Sequence, residues 1–230
     1  MKNKKVLFLI GLSLPLLIVG FYINKKYFAP WEKFTAATKQ VKELSDSNKL
    51  KNGDIIFQTS LSNQSKAIQL ATHSKYSHCG LIFHSDTGKI AWYVLEAVKT
   101  VRYTPLDKWI CRGDGGHYVI KRVITDPPLS DLMLQDLKAI AEKSLGKQYD
   151  WYFEWSDDRI YCSELVWKAY YELTGLGIAE LQNIRDLDLT NELVKAKMKE
   201  RYGDKIPLDE KVITLASIFS SPMLTLVQEN

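Results

Sequence analysis

The sequence of 230 residues predicts a single α+β domain, and three features indicate this class. Residues 76–83 and 90–98 are apolar runs on either side of the turn cluster 85–89, a pattern typical of an antiparallel hairpin. Residues 129–145 repeat apolar side chains at helical spacing. A second amphipathic helix is predicted to begin at Cys162. Strands and helices therefore both contribute to the fold.

Shorter elements complete the predicted domain, which we place at residues 49–230. Ser130 is the expected N-cap of the helix at 129–145, and Gly146 is its expected stop. A hydrophobic content of 46% with six tryptophans excludes a disordered chain. The remaining predicted elements are a turn at 53–54 entering a strand at 55–57, a helix at 65–71, a strand at 118–123, and a final strand with a short turn at 212–226.

The N-terminus has the form of an export signal. Lys2, Lys4 and Lys5 precede an uncharged stretch at residues 6–23, which reaches the lower length limit for a membrane span. Residues 21–26 contain no small-residue cleavage pattern. We therefore predict that residues 1–23 are an uncleaved anchor in a bacterial inner membrane, with the domain on the periplasmic, extracytoplasmic side. A cleaved signal is the alternative.

Residues 24–48 are predicted to be a polar connector. The formal charge of +4 belongs to the N-terminus, because residues 1–26 hold five lysines and no acid. The rest of the chain has 26 basic and 27 acidic residues. This balance argues against a nucleic-acid partner.

Cys162 is the candidate nucleophile because it stands where a predicted helix begins. Leu165, Val166 and Leu173 follow at helical spacing, and Gly175 is a plausible stop. Backbone N–H groups and the helix dipole at this position favour thiolate over thiol, and the thiolate is the attacking species. A buried core cysteine is the alternative interpretation, since the residue also lies on the apolar face.

His78 is the candidate base, and Glu96 the candidate residue that orients it. If residues 86–88 form the hairpin loop, the numbers of two residues that pair across the hairpin add up to 174. His78 then lies opposite Glu96. A carboxylate there would orient the imidazole and stabilise imidazolium. The alternative is a carboxylate at the sheet rim, although Glu96 interrupts an apolar strand.

A metal site and a disulfide framework are the competing uses of the histidines and cysteines. His78 and His84 would lie roughly 20 Å apart along one strand, too far to share an ion, so we predict no metal ligands. Three cysteines exclude a complete disulfide framework. Cys79 and Cys111 are expected either to pair in an oxidising compartment or to remain reduced and buried.

Five short segments, which include Ser77-His78-Cys79 and Tyr161-Cys162-Ser163 and are given below in chain order, resemble those of a known family. This family is the YiiX/YebB-type permuted papain-like cysteine hydrolases, relatives of the NlpC-type cell-wall peptidases and, more distantly, of the lecithin:retinol acyltransferases. The resemblance covers roughly residues 50–225, with His before Cys in the chain. Cys79 departs from the small or aliphatic residue that is more usual after the histidine, and it adds a possible oxidation partner. The segments are Gly53-Asp54-Ile55-Ile56-Phe57, Ser77-His78-Cys79-Gly80-Leu81, Leu95-Glu96-Ala97, Gly146-Lys147-Gln148-Tyr149-Asp150 and Tyr161-Cys162-Ser163-Glu164-Leu165-Val166.

The resemblance implies a permuted papain-like, NlpC-type α+β fold, in which a small antiparallel sheet packs against helices. It implies Cys162 as nucleophile, His78 as base, Glu96 as orienting group and Tyr149 as auxiliary residue, without a cofactor. We therefore expect an extracytoplasmic amidase or peptidase acting on peptide or peptidoglycan-derived substrates. The alternatives are a lipid acyl hydrolase or acyltransferase, and a non-catalytic ligand-binding module.

Overall fold

The computed structural model describes residues 29–85 and 91–230, with side chains from residue 31 onward. The longer helices are separated by strands and by two 3₁₀ turns at 114–116 and 184–186. In chain order the elements are α1 (Ala29–Asp46), β1 (Ile55–Gln58), α2 (Ser65–Thr72), β2 (His78–His84), β3 (Trp92–Ala97), β4 (Val101–Pro105), α3 (Leu106–Arg112), β5 (Val119–Val123), α4 (Asp131–Glu142), β6 (Gln148–Tyr149), β7 (Arg159–Ile160), α5 (Cys162–Thr174), β8 (Gln182–Asn183), α6 (Glu192–Tyr202), β9 (Lys211–Val212), α7 (Leu215–Phe219) and β10 (Leu224–Glu229).

Six strands form one sheet in the order β10-β5-β1-β2-β3-β4, and every neighbouring pair is antiparallel. Side chains alternate along a strand, so the sheet has two faces. Helices cover both faces and bury them. One face packs on α4, α5 and α7, and the other packs on α1 and α3. The predicted α+β class with an antiparallel sheet against helices is therefore confirmed, with helices on both faces.

Local signals in the sequence place several helix ends correctly. Ser130 caps α4, where its hydroxyl accepts a hydrogen bond from the Met133 N–H at 3.2 Å. Gly175 ends α5 with a φ of 70°, a conformation that favours glycine. The predicted helix at 65–71 corresponds to α2. These positions depend on neighbouring residues alone, which is why a sequence pattern predicts them.

The hairpin register differs from the prediction by two residues. Leu81 pairs with Leu95, and His84 pairs with Trp92, so paired residues sum to 176 rather than 174. The predicted loop at 86–88 lies outside the described residues. A shift of two preserves the alternation of side chains, so His78 and Glu96 still share one sheet face, as diagonal neighbours.

Gly80 stands opposite Glu96 in the observed register. A Cβ atom on Gly80 would lie 2.5 Å from Val94 Cγ1 and 2.8 Å from the Leu95 carbonyl oxygen. Real side chains do not make contacts this short, so only glycine lets β2 and β3 approach here. This approach brings the start of β2 close to Glu96.

Two other predictions need correction, because each element is stabilised by distant parts of the chain. The connector predicted at 24–48 contains α1, whose Ala37 and Leu44 are buried beside α3. The region 212–226 contains α7 between two strands, and β10 pairs with β5. Strand β4 and helices α3 and α6 had no predicted counterpart.

Among the described residues, no helix is both long and apolar enough to cross a membrane. The anchor predicted at residues 1–23 lies outside them.

Candidate active site

Cys162 is the first residue of α5. Tyr161 precedes the helix in extended conformation, and its N–H donates a hydrogen bond to Glu164 Oε2 at 3.2 Å. The Tyr161 hydroxyl accepts a hydrogen bond from the Ile213 N–H at 3.0 Å, which anchors the helix start to the segment before α7. The Cys162 side chain is buried at the positive end of the helix. The predicted position of the thiol is therefore the observed one.

The Cys162 thiol interacts with the His78 imidazole and the neighbouring Cys79. A hydrogen bond from Cys79 lowers the pKa of Cys162, burial opposes this, and the hydrogen bond and charge of His78 lower the pKa further. The resulting pKa of Cys162 lies well below its ordinary value. Burial alone would lower the pKa of His78, but hydrogen bonds to Cys162 and Glu96 raise it to about 9. Both directions favour a thiolate–imidazolium pair.

Glu96 is fully buried and lies against the imidazole. Its Oε2 atom is 2.7 Å from His78 Nε2, which leaves Nδ1 as the ring nitrogen available to Cys162. Burial would raise the pKa of Glu96, but the hydrogen bonds and charges of His78 and Arg112 lower it to about 2. Glu96 therefore carries a charge throughout the neutral range and favours a positively charged His78.

Three further side chains hold Glu96, and none was predicted from the sequence. Trp109 Nε1 donates to Oε2 at 2.9 Å, Arg112 donates to Oε2 at 2.5 Å, and the Thr104 hydroxyl donates to Oε1 at 2.6 Å. The Trp109 ring also stacks on the His78 ring, with 5.8 Å between centroids. These residues come from β4 and α3. The sequence signal that such donors must exist was a glutamate within an apolar strand, because a buried carboxylate needs hydrogen-bond partners.

Tyr149 lies beside Cys162, as the resemblance implied. The Tyr149 backbone N–H donates a hydrogen bond to the Lys99 carbonyl oxygen at 3.1 Å, which holds Tyr149 near the end of β3. Gln64 Nε2 lies 3.4 Å from the Tyr149 hydroxyl. Burial and then the negative charge of Cys162 raise the pKa of Tyr149, so its hydroxyl stays protonated and able to donate. The adjacent Asp150 shapes the following loop by accepting the N–H groups of Tyr152 and Glu154.

The other two cysteines lie on opposite faces of the sheet and do not pair. Cys79 is buried in the core beneath α5, whereas Cys111 is half-buried in α3 and packs with the opposite face. All three cysteines are free. The positions on opposite faces argue against the expected pairing of Cys79 with Cys111, and Cys111 is half-buried rather than buried.

The remaining histidines are dispersed. His73 Nε2 lies 3.2 Å from an Asp188 carboxylate oxygen, and His84 contacts the Trp92 ring at the far end of β2. His117 Nδ1 lies 2.6 Å from the backbone oxygen of Asn230 at the C-terminus. In residues 29–85 and 91–230, no group of three or more His, Cys, Asp or Glu side chains is arranged to hold a metal ion.

An apolar pocket opens beside the nucleophile, with about 810 Å³ of empty space including its mouth. It lies between α2, α6 and the start of α5, and Cys162 and Tyr149 form part of its wall. Most of the wall is apolar, with aliphatic residues such as Ile68, Leu189 and Met198 and several aromatic rings. Its charged residues are Lys197 and Arg201, both from α6.

The aromatic residues of segment 149–155 line two neighbouring cavities. Tyr149 and Phe153 line the apolar pocket. Trp151 and Tyr152 are 52% and 42% exposed, and they line a second, more polar groove that shares Gln64, Lys197 and Arg201 with the pocket.

A comparison with known families matches residues 49–228 to the permuted papain-like amidase enzymes of the YaeF/YiiX, C92 family. The chain belongs to this family. YaeF/YiiX-type amidases are cysteine hydrolases, so this protein is a cysteine hydrolase. The match begins where the predicted domain begins and includes Cys162, His78, Glu96 and Tyr149.

Two relatives from Escherichia coli support the family assignment. The uncharacterised protein YiiX of strain K12 is 50% identical over 175 residues, which cover 76% of this chain and 84% of the relative. The crystal structure of the metalloprotein yiiX from strain O157:H7 is 49% identical, with a TM-score of 0.74. That match covers 79% of this chain and 98% of the relative.

Proposed function

We propose that the protein cleaves amide bonds with Cys162 as nucleophile, His78 as proton carrier and Glu96 as the carboxylate that orients His78. The observation that supports this proposal is the chain of contacts from Cys162 through His78 to the buried Glu96. A structural core cysteine would need neither the imidazole nor the charged carboxylate beside it.

The first half of the reaction would form an acyl-enzyme. The Cys162 thiolate attacks the substrate carbonyl carbon, and a C–S bond forms while the carbonyl electrons move onto oxygen. When these electrons return, the C–N bond breaks and His78 gives its proton to the departing amine. A pKa of His78 of about 9 keeps that proton available at neutral pH.

The second half would regenerate the enzyme with water. His78, now neutral, takes a proton from water, and the hydroxide attacks the thioester carbonyl. The C–S bond breaks, the carboxylic acid leaves, and the thiolate–imidazolium pair is restored. We assign the Tyr149 hydroxyl and the Cys162 N–H as donors to the negatively charged carbonyl oxygen. Helix starts supply such unpaired N–H groups.

We propose peptide or peptidoglycan-derived amides as the substrates, on the extracytoplasmic side of the membrane. The amidase family supports the amide bond, and the signal-like residues 1–23 support the compartment and a membrane association. The O157:H7 relative is described as a metalloprotein. The described residues of this chain offer no matching ligand group, so no step here involves a metal.

The test uses the full-length protein, its Cys162→Ala variant and a Cys111→Ala control. Peptidoglycan fragments and acylated amines are incubated with each protein, and the products are identified by mass spectrometry. We expect turnover to fall by about 10⁴–10⁶ in Cys162→Ala and to stay unchanged in Cys111→Ala. Equal turnover by the wild type and Cys162→Ala would contradict Cys162 as the nucleophile, and a lack of hydrolysis by both would contradict the proposed amide substrates.

A further inference from the structure

Gln64 precedes the first residue of α2, at a position where side chains usually bond to the start of their own helix. The Gln64 amide instead extends towards Tyr149 and Arg201. It belongs to the wall of both cavities, the apolar pocket beside Cys162 and the more polar groove next to it. Gln64 takes no part in the proton transfers described above, yet its Nε2 atom lies 3.4 Å from the Tyr149 hydroxyl oxygen.

Arg201 determines which end of the Gln64 amide faces Tyr149. The Arg201 guanidinium lies 3.3 Å from Gln64 Oε1, and an arginine side chain only donates hydrogen bonds. The atom that it contacts must therefore be the amide oxygen, which leaves the amide nitrogen to face the Tyr149 hydroxyl. The guanidinium is itself held over the Phe153 ring, 4.6 Å from the ring centre.

The direction of this contact decides what the Tyr149 hydroxyl can do. An amide nitrogen only donates, so the phenolic oxygen accepts from Gln64 and its own proton is available to another acceptor. An amide turned the other way would take that proton. Burial and the charge of Cys162 raise the pKa of Tyr149, and the hydrogen bond from Gln64 opposes this rise. An effect of this sign is expected when Gln64 is the donor.

The start of α2 is joined to the segment that carries the base. The Ser65 and Ser77 hydroxyl oxygens lie 2.6 Å apart, and both residues are buried. The Ser77 hydroxyl also accepts a hydrogen bond from the Ser60 N–H at 2.9 Å. Because Ser65 follows Gln64 and Ser77 precedes His78, these bonds tie Gln64 to the same framework as His78.

We propose that Gln64 is a positioning residue, which turns the Tyr149 hydroxyl proton towards the carbonyl oxygen of a substrate bound at Cys162. This inference rests on the proposed function, in which Tyr149 donates to the negatively charged oxygen. Arg201 acts one step further out, because it fixes the orientation of the Gln64 amide. A hydroxyl that already points to the place where charge develops needs no reorientation during the reaction, which is what makes such a donor effective.

The first test measures kcat and KM for p-nitrophenyl acetate with the full-length protein, after subtraction of the Cys162→Ala background. Gln64→Leu removes the donor to Tyr149 and should lower kcat by about tenfold, the effect of one neutral hydrogen bond. KM should change little, since the contact acts in the transition state. Gln69→Leu is the matched control, because Gln69 lies on the same helix, donates to the Lys75 carbonyl oxygen at 2.6 Å and lines neither cavity. Its kcat should match that of the wild type.

The second test repeats Gln64→Leu in a Tyr149→Phe background. If Gln64 acts through the Tyr149 hydroxyl, removal of that hydroxyl leaves nothing to orient, and the added substitution should lower kcat by less than about twofold. An equal loss in both backgrounds, or a wild-type kcat in Gln64→Leu, would overturn the role of Gln64 while leaving the hydrolase intact. Absence of any Cys162-dependent turnover by the wild type would instead contradict the proposed function, and this inference with it.

Gln64→Glu tests the direction of the contact with almost no change in size. An ionised carboxylate only accepts hydrogen bonds, so the Tyr149 hydroxyl would give its proton to the carboxylate rather than to the substrate oxygen. We expect kcat to fall further than in Gln64→Leu, by up to about 10²–10³, which is the loss expected when an oxyanion donor is removed. A wild-type kcat in Gln64→Glu would overturn the assignment, even if Gln64→Leu folds poorly.

Two substitutions of Arg201 test the outer contact. Arg201→Lys keeps a donor to the Gln64 oxygen, whereas Arg201→Met removes it and allows the amide to turn. We expect Arg201→Lys to retain more of kcat than Arg201→Met in the same assay. Equal kcat values for the two variants would contradict the role of Arg201 in fixing the amide.

Discussion

Two buried carboxylates, Glu96 and Asp54, each bind an arginine, but only Glu96 also contacts an imidazole. Asp54 accepts a two-pronged contact from Arg122, at 2.7 and 2.8 Å, and the Lys51 N–H at 2.8 Å. The contact with Arg122 links Asp54, just before β1, to strand β5. Glu96 also accepts a hydrogen bond from an arginine, Arg112, and in addition it is hydrogen-bonded to His78. Burial beside an arginine therefore does not identify a catalytic carboxylate.

The direction of the pKa shift separates the two carboxylates. Burial raises the pKa of Asp54 despite the opposing Arg122 contact. The pKa of Glu96 falls to about 2, because His78 and Arg112 together outweigh burial. The surroundings of Glu96 therefore favour its charged form beside an imidazole, whereas burial outweighs the ion pair with Arg122 at Asp54. Substitutions that remove only the charge should expose this difference.

Glu96→Gln should have the largest effect on turnover among the variants that retain Cys162. It preserves size but removes the charge that stabilises imidazolium, and loss of an orienting carboxylate can lower kcat by up to about 10⁴. We expect kcat to fall more than KM rises, in steady-state assays of a folded variant. Wild-type turnover in Glu96→Gln would reduce the proposed triad to a Cys162–His78 dyad.

Tyr149→Phe should have the next largest effect. Removal of one donor to a negatively charged carbonyl oxygen typically lowers kcat by about 10²–10³. Alkylation of Cys162 should continue at a comparable rate, because that step needs the thiolate and not the oxyanion donors. Tyr103→Phe, which removes a hydroxyl bound to Glu142 at 2.8 Å outside the site, is the matched control. Equal kcat values for the two variants would contradict the role of Tyr149.

The pH dependence should follow His78. Since the pKa of His78 is raised from 6.5 to about 9, the stability it contributes is complete below 6.5 and is lost as the pH rises through 9. Turnover should fall above about pH 9 for the same reason, as the proton for the leaving group disappears. NMR titration of the imidazole should show a lower pKa of His78 in Glu96→Gln. An equal pKa of His78 in the wild type and in Glu96→Gln would show that Glu96 does not stabilise the imidazolium.

Asp54→Asn should change turnover least. An asparagine at this position has about the same size, but it accepts hydrogen bonds only at its amide oxygen, so part of the donor set from Arg122 and Lys51 would lose its acceptor. We expect unfolding by urea to show a loss of about 1–2 kcal/mol, since neutral hydrogen bonds are weaker than charged ones. Turnover of the folded variant should match the wild type. If Asp54→Asn instead lost activity as Glu96→Gln does, the two carboxylates would not be functionally distinct.

Local patterns predicted the elements that hold the candidate site residues. The helix start at Cys162 follows from apolar spacing and from Gly175, which are properties of adjacent residues. The shared face of His78 and Glu96 follows from the two-residue period of strands, and it survived a register error of two. Had the error been one residue, the two side chains would have pointed to opposite faces.

The sequence by itself determined the class of the fold, the helix that begins at Cys162, and the family to which the chain belongs, because these depend on short-range patterns and ordered motifs. Only the tertiary structure decided the exact hairpin register, the donors from Thr104, Trp109 and Arg112, and the packing of α1 into the core. The apolar pocket beside Cys162 likewise depends on the tertiary structure, since α2 and α6 are far apart in the chain. Contacts between distant segments depend on how whole elements pack, and no local pattern records that geometry.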